Sequence, residues 1–558
     1  MGFAAPEASL SRIERWFAAQ PRWRRYVAAL LAGALATLGH APFQIVPAFA
    51  VAITALMWLL DASMRGVRAK GWFSRALSGF ATLWWFGFGH FTSGLYWIMS
   101  AFAVDAQTFG AFAVPAWLAL AGGLALFWGL GGAFAALIWT PDIRRVAGFT
   151  IAVLASEWLR GHVFGGFPWL LPGYIWMPGE PVSQLASIFG IYGLSAVTLL
   201  VSAAPATIAD GDLSAGRRFA PMVVAGLAIG LAWGWGAQRL AHAPIEPPGA
   251  QPVVRVADSG LSQAEKWRFR EGQEEYVLRR YLRASGDPES DHADIVVWPE
   301  GAIPTVHFWL LDNPAFLDEI GQGLGNRALI TGFSRCSPAP ECDAYLRGER
   351  GSDGLRFYNS ATVIDGVSGR ARIDMTQVYD KHRLVPWGEF IPLWSVFSSF
   401  NIAPLQEIGA GFTPGPPPTR LVIPDAPPAV ILICYEAIFP GMVPRGEERP
   451  GWIISISNDA WFGNGTGPYQ HYVAARYRAI EEGLPMARAA SGGVSGIVDS
   501  FGRVVRETHR RGDAAEAQLP PSLPPTPHAV WGFLLIPMLA AVIAALRFAP
   551  ILATTRSR

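Results

Sequence analysis

Apolar residues run almost unbroken over 26–43, 46–62, 76–99, 110–139, 146–160, 184–208 and 218–241, and again over 529–549. A helix of about 20 apolar residues matches the hydrocarbon thickness of a bilayer, so the pattern predicts about eight membrane-spanning helices, 146–160 being the shortest. Between residues 243 and 527 the pattern changes. Short β-branched runs recur at Val253–Ala257, 295–298, 328–331, 361–363, 429–434, 452–455 and Gly496–Val498. Polar or amphipathic stretches at 263–285, Pro314–Leu324 and 469–482 fall between several of them. Near-continuous apolar strands separated by helices predict an α/β domain whose sheet is covered by helices.

Proline marks both edges of this insert, at Pro244, Pro247 and Pro248 and then at Pro520, Pro521, Pro524, Pro525 and Pro527. The expected organisation is a membrane domain over 1–242 with seven helices, a soluble domain over 243–527, and a last helix with a short tail over 528–558. Basic residues precede the first apolar run and fill alternate loops (Arg65, Arg68, Lys70 and Arg75; Arg144 and Arg145; Arg217 and Arg218), and Arg556 and Arg558 end the chain. The positive-inside rule places those loops and both termini in the cytoplasm and the soluble insert on the opposite face. The run over 26–43 follows Arg22, Arg24 and Arg25 without a small-residue cleavage site, so it is expected to be retained as a span.

Composition narrows the function classes. Of 558 residues only 16% are charged and 51% are hydrophobic, and the mean hydropathy is +0.27, which excludes a purely soluble enzyme. Lys and Arg number 44 against 43 Asp and Glu, a net charge of +1 that offers no field for nucleic-acid phosphates. An aromatic content of 12% excludes a disordered chain. With 3 cysteines no disulfide framework exists: Cys336 and Cys342 could close one local bridge in an oxidising compartment or stay reduced, leaving Cys434 free.

Three polar residues stand at or just beyond apolar runs. Glu300 ends Ile295-Val296-Val297-Trp298-Pro299-Glu300, Lys381 lies in a Gly/Pro-containing loop, and Cys434 ends Val430-Ile431-Leu432-Ile433-Cys434. Strand carboxyl ends of a parallel sheet meet at one edge, where distant residues converge. A carboxylate, an ammonium and a thiol form a covalent-catalysis set: the carboxylate takes the thiol proton, the thiolate attacks a carbonyl, and the ammonium holds the oxyanion. Each has a plainer reading, the cysteine as a small buried hydrophobe and the two charges as solvated groups. His382, His471 and Cys434 lack the paired spacing of a metal site. Gly463-Asn464-Gly465-Thr466-Gly467 lacks the Lys-Ser/Thr of a phosphate loop, and the small residues from Ser491 to Gly496 do not form the Gly-x-Ser-x-Gly elbow of a serine hydrolase. Two uncharged aromatic stretches, 306–311 and 390–402, flank the proposed site and read either as core or as loops that touch the bilayer and admit an acyl chain.

In combination the motifs are more specific than any one residue. They are Pro42-Phe43, Gly94-Leu95-Tyr96-Trp97, Glu157-Trp158-Leu159-Arg160-Gly161 and Gly166-Phe167-Pro168-Trp169 in the apolar part. In the insert they are Trp298-Pro299-Glu300, the run from Lys381 to Pro386 and on to Gly388-Glu389, Cys434-Tyr435-Glu436, and Ser457-Asn458-Asp459-Ala460-Trp461-Phe462-Gly463. Nearly the whole chain thereby resembles the apolipoprotein N-acyltransferase family, whose soluble part belongs to the nitrilase (carbon–nitrogen hydrolase) superfamily. The resemblance implies a polytopic helical membrane domain of eight spans plus an α-β-β-α sandwich. It implies Glu300, Lys381 and Cys434 as the catalytic set, with Glu389, Tyr435, Glu436 and Trp267 in supporting or substrate-binding roles. It also implies a bacterial inner-membrane protein with a periplasmic catalytic domain that needs neither cofactor nor metal. Its partners would be the bilayer, a phospholipid acyl donor (phosphatidylethanolamine by resemblance) and diacylglyceryl lipoproteins as acceptors. The chain would move an acyl group through a Cys434 thioester to the N-terminal amine of diacylglyceryl-cysteine, the last step of lipoprotein maturation. Two departures stand out: Asp258-Ser259-Gly260 where relatives show Gln-Gly-Asn, and Ser491-Gly492-Gly493 where Asn-Thr-Gly is common. The rivals are a membrane-anchored amidase or nitrilase with water as acceptor, for which one anchor would suffice, and a transporter. A transporter places ionisable residues mid-span, whereas here the runs are nearly uncharged and Glu157 and Arg160 are expected at an interface.

Overall fold

Strand alternation decides how the soluble part is layered in this computed structural model. It describes residues 16–548 apart from 18, 66, 68–70, 212, 244–249, 267–272, 290, 303–313, 347, 350, 352–353, 368–369, 393, 395–410 and 509–510. The chain divides into two compact units. One comprises the segments up to Tyr96, Pro115–Arg239 and from Trp531 on; the other comprises Trp97–Val114 and Leu240–Val530.

The second unit holds two mixed six-stranded sheets. In chain order the strands are β1 Val253–Ala257, β2 Ile295–Val297, β3 Ala328–Ser337, β4 Arg356–Val367, β5 Arg370–Asp380, β6 Arg420–Leu421, β7 Ala429–Ile433, β8 Trp452–Asn458, β9 Met486–Ser491, β10 Gly496–Val498, β11 Val504–Glu507 and β12 Ala514–Gln518. One sheet runs β12-β1-β2-β3-β4-β5 and the other β11-β10-β9-β8-β7-β6. In the first, β1, β2 and β3 are parallel; in the second, β7, β8 and β9 are parallel, and the outer pairs are antiparallel.

Successive side chains point to opposite faces of a strand, and both faces are used. Val254, Val256, Ile295, Val297 and Ile330 from one sheet pack with Ile431, Ile433, Ile454, Ile456 and Ala489 from the other in a core between the sheets. The intervening Val296, Trp298 and Leu329 pack outward against helices Gln273–Ala284 and Pro314–Leu324 through Val277, Tyr281, Phe316 and Ile320. On the outer face of the second sheet, Arg488 of β9 reaches His471 of helix Gly467–Glu482. The layers are therefore α-β-β-α, as the resemblance implies. The all-apolar strands follow from this double burial.

Every β-branched run expected as a strand is one, with β3 and β4 extending well past their apolar centres. The pattern misses β5, β6, β9, β11 and β12, of which β5 and β9 lie nearest the polar residues at the strand ends. Arg370–Asp380 carries charges along its length and Met486–Ser491 is rich in alanine, so neither looks like a strand alone; each is made one by pairing, with β4 and with β8.

In the first unit each predicted apolar run contains a helix: Arg22–Ala36, Val46–Arg65, Trp72–Gly94, Ala113–Leu137, Arg145–His162, Ala186–Ala203 and Ala215–Ala241, with Pro527–Phe548 near the end of the chain. Among the described residues, Val46–Arg65, Ala106–Leu137, Val182–Ala209 and Ala215–Ala241 are long and apolar enough to cross a membrane, and Leu534–Phe548 is a shorter apolar helix. Arg145 is buried and binds Asp61 at 3.2 Å and both oxygens of Asp210 at 2.7 Å, tying two helices and a loop. Glu157 and Arg160 are buried in the last turns of Arg145–His162, where they pair with each other. A lone charge away from water is costly, so pairing is the condition for its burial.

Candidate active site

Glu300, Lys381 and Cys434 each lie just past the carboxyl end of a strand. Glu300 follows β2 by three residues, Lys381 directly follows β5, and Cys434 directly follows β7. Because β3 and β5 are both antiparallel to β4, β5 runs parallel to β2 and ends on the same edge. The two sheets are joined there by the backbone N–H of Asn458, the last residue of β8, which donates to Glu300 Oε2 at 2.9 Å.

Lys381 is buried between two carboxylates. Its Nζ donates to Glu300 Oε1 at 3.3 Å and to Glu389 Oε1 at 2.8 Å. The side chain of Asn359, on β4, bridges the same two oxygens from Nδ2 at 2.6 and 2.7 Å. Glu389 Oε2 accepts the Val385 N–H at 2.8 Å, closing the loop that carries both residues. Burial pushes the Lys381 ammonium down, but Glu300 and Glu389 outweigh it and hold the group well above the usual lysine range. It is a fixed positive charge.

Cys434 is the free cysteine, 9% exposed. Burial pushes its thiol above the ordinary value and Glu300 adds to the rise, while Lys381 and a hydrogen bond with Ser457 pull against it. The resting group is a thiol, and it would need a base to take its proton before it could act as a nucleophile. Glu300 is the carboxylate placed beside it. Cys434 also sits at φ 51°, in the left-handed region that a side chain disfavours.

Glu436 lies two residues on, fully buried, and serves as a hub. Its Oε1 accepts from the Tyr379 hydroxyl at 2.6 Å and from the N–H groups of His382 and Arg383 at 2.8 and 3.1 Å; its Oε2 accepts the Ile433 N–H at 2.7 Å. Burial raises its pKa, against those donors. It thus ties the strand before Cys434 to the loop after Lys381. Tyr435 is buried, its ring edge-on to Phe439 with centroids 5.0 Å apart. Trp267 and the stretch 306–311 lie outside the described residues, as does most of 390–402.

The two motif departures meet. Ser491 Oγ donates to Asp258 Oδ1 at 3.2 Å and accepts from the buried Lys266 Nζ at 2.7 Å, which also donates to the Tyr281 hydroxyl at 2.8 Å. Beside Lys266, Gln263 Oε1 accepts from Asn458 Nδ2 at 2.7 Å, so this network reaches the residue that holds Glu300. Asn359, Gln263 and Lys266 were missed by sequence reasoning, and nothing in their local sequence marks them; Asn458 lies in the motif over 457–463, but its backbone role toward Glu300 was not read from it. Cys336 and Cys342 form a disulfide, the open alternative at the sequence level.

Residues 32–204 match the apolipoprotein N-acyltransferase N-terminal domain, and residues 255–523 match the carbon–nitrogen hydrolase family. The apolipoprotein N-acyltransferase of Rhodopseudomonas palustris is 37% identical over 96% of this chain and 96% of its own. That of Bradyrhizobium diazoefficiens is 39% identical over 91% of each. Among solved structures, an amidase from Nesterenkonia sp. AN1 is similar over 50% of this chain and 94% of its own, at 17% identity and a TM-score of 0.31.

Proposed function

From the premise that the chain belongs to the apolipoprotein N-acyltransferase family, we propose that it acylates the N-terminal amine of diacylglyceryl-cysteine in lipoproteins, with a phospholipid, phosphatidylethanolamine, as donor. The observation that carries the reading is the meeting of Lys381 and Glu300 beside the Cys434 thiol in a chain with membrane-length apolar helices.

The reaction divides into two acyl transfers. As the Cys434 sulfur attacks the donor ester carbonyl, Glu300 takes the thiol proton and Lys381, with a backbone N–H, stabilises the oxyanion. The C–O bond then breaks, Glu300 returns the proton to the leaving oxygen, and a lysophospholipid departs, leaving a thioester. In the second transfer the lipoprotein amine attacks the thioester and Glu300 takes a proton from the nitrogen. The C–S bond breaks, and the proton restores the thiol. No ATP is needed, because a thioester lies above an amide in free energy. Glu389 and Glu436 hold Lys381 and the nucleophile turn, and Tyr435 and Trp267 are assigned to the substrate pocket.

We place the protein in the bacterial inner membrane with eight spans, both termini cytoplasmic and the catalytic domain periplasmic. Three observations support this. Basic residues fill alternate loops. The segment after helix Trp72–Gly94 packs into the same unit as the insert, Trp97 Nε1 donating to Gln470 Oε1 at 3.1 Å and its ring meeting Phe462 at 4.5 Å, which fits one side of the membrane for both. The Cys336–Cys342 bridge fits an oxidising compartment.

The test is intact-mass analysis of a diacylglyceryl lipopeptide incubated with phosphatidylethanolamine and the detergent-solubilised protein, beside Cys434→Ala. The expected result is a gain of one acyl group on the peptide amine, absent in the variant. Ammonia release from small amides, without acyl gain, would overturn the transferase reading in favour of a hydrolase.

A further inference from the structure

A non-glycine residue at positive φ is held only where its surroundings over-determine the backbone. At Cys434, Glu436 does this from the preceding residue by accepting the Ile433 N–H. On the following side the carbonyl oxygen of Cys434 faces His471, whose Nε2 lies 3.0 Å away. A carbonyl only accepts, so Nε2 carries the hydrogen, which assigns the tautomer on that side of the ring.

The rest of the ring is also fixed. Nδ1 lies 2.9 Å from Asp459 Oδ1 and 3.1 Å from Arg488 Nη2. Asp459 in turn accepts from Ser457 Oγ at 2.6 Å and from Arg488 Nη2 at 2.8 Å, and Arg488 Nη1 donates to Ser455 Oγ at 2.9 Å. His471, Asp459 and Arg488 are all fully buried. Burial pushes the Asp459 carboxyl up, yet Arg488 and His471 hold it far below the usual range, so it is a carboxylate. None of these groups belongs to the Glu–Lys–Cys set, and a buried ion network of this size on the outer face of a sheet calls for a reason.

The peptide unit after Cys434 is planar, with its C=O and the N–H of Tyr435 pointing in opposite directions. Pinning the oxygen therefore fixes the direction of that N–H, and a hydrogen bond to the C=O strengthens the N–H as a donor. The acyl transfer described above needs a backbone donor beside Lys381 for the oxyanion. We propose that His471, oriented by Asp459 and Arg488, is a positioning residue for acyl transfer: its Nε2–H holds the Cys434 carbonyl, and through that one peptide it keeps the nucleophile in its left-handed turn and aims the Tyr435 N–H at the oxyanion. This rests on the functional reading above.

The experiment uses the full-length protein in detergent micelles with phosphatidylethanolamine, following lysophospholipid release in a single turnover, and in parallel the alkylation of Cys434 by iodoacetamide, which forms no oxyanion. His471→Ala is expected to lower the rate constant of acylation by about 10- to 100-fold, leave the KM for the phospholipid within about twofold, and leave alkylation within about threefold. His471→Gln, whose amide N–H reaches where Nε2 was, is expected to recover most of the rate, and His471→Asn, whose amide falls short, is not. If the alanine variant does not fold, the Gln and Asn variants carry the comparison alone, and equal rates in the two overturn the proposal. Wild-type acylation by a folded alanine variant, or a change in KM alone, overturns it as well. Absence of lysophospholipid release from the wild type overturns the functional reading instead. The same variants are then compared on ammonia release from a small amide, where the positioning role predicts the same loss and its absence refutes the role.

Discussion

The backbone N–H of Asn458 donates to Glu300 Oε2 at 2.9 Å, across 158 residues of sequence and from one sheet to the other. That bond fixes the orientation of the carboxylate. Oε1 is turned to Lys381 and Asn359, and Oε2 is held at the end of β8, beside the strand that delivers Cys434. Glu300→Gln keeps the shape of the side chain and removes its ability to take a proton. The expected loss of acylation rate is about 10²- to 10⁴-fold, measured as lysophospholipid released in a single turnover, with thermal stability near that of the wild type. Wild-type turnover in the variant would exclude Glu300 as the base.

Gly332 on β3 lets the Glu300 backbone come close. A Cβ there would stand 2.7 Å from Glu300 Cα and 2.8 Å from the Gly301 nitrogen, and neither atom belongs to a flexible side chain. Gly332→Ala is expected to displace Glu300 and lower acyl transfer at least tenfold, since misplacement of a reacting group by about 1 Å costs about 10²-fold. Substrate binding, measured by retention of a phospholipid analogue, is expected to change less.

Asp258 and Ser491 should behave as one unit. Alanine at each singly and at both together forms a cycle whose coupling is expected at about 0.5–3 kcal/mol in thermal or denaturant unfolding of the solubilised protein. Lys266→Met removes the cation that Ser491 accepts from and is expected to destabilise more than either single change. Additive effects would mean that the two departures from the family pattern are independent.

Acid stability follows from Asp459. Burial opposes its ionisation, but Arg488 and His471 hold its pKa far below the ordinary carboxylate value. As pH falls below about 4, the unfolded chain takes up a proton at this side chain before the folded one does, so this part of the stability is present above that pH and lost below it. Asp459→Asn is expected to be less stable at neutral pH and to show a shallower fall in unfolding temperature between about pH 5 and pH 3. An unchanged acid slope would contradict the assignment.

Thiol counting tests both the bridge and the compartment. In unfolded, unreduced protein from the native membrane one thiol, Cys434, is expected to react with a maleimide, and 3 after reduction. Replacing Cys336 and Cys342 by serine removes a closed loop of sequence separation 6, worth about 2 kcal/mol in the chain-entropy account. Three reactive thiols without reductant would argue against an oxidising location.

Much of this protein is legible along the chain, and particular residues show where legibility stops. The apolar runs mark the helices, and Ile295-Val296-Val297 and Val430-Ile431-Leu432-Ile433 mark strands buried on both faces, with Glu300 and Cys434 just beyond them. These are local signals, set by composition over a few residues and by the period of side-chain burial. Lys381 was found by motif and spacing, although the strand that delivers it, Arg370–Asp380, has no apolar pattern and exists through its pairing with β4.

What only the tertiary structure decided are the contacts between distant segments: Asn359 bridging Glu300 and Glu389, Lys266 joining Ser491, and His471 reaching the carbonyl of Cys434. A lone Asn, Lys or His carries no periodic signal, and its role depends on which partner the folded sheets bring within 3 Å or so. The sequence by itself determined which residues stand at the strand ends and that much of the chain is apolar enough to cross a bilayer. The fold decided how those residues are charged and aimed, because burial and hydrogen bonding act only once the chain has closed around them.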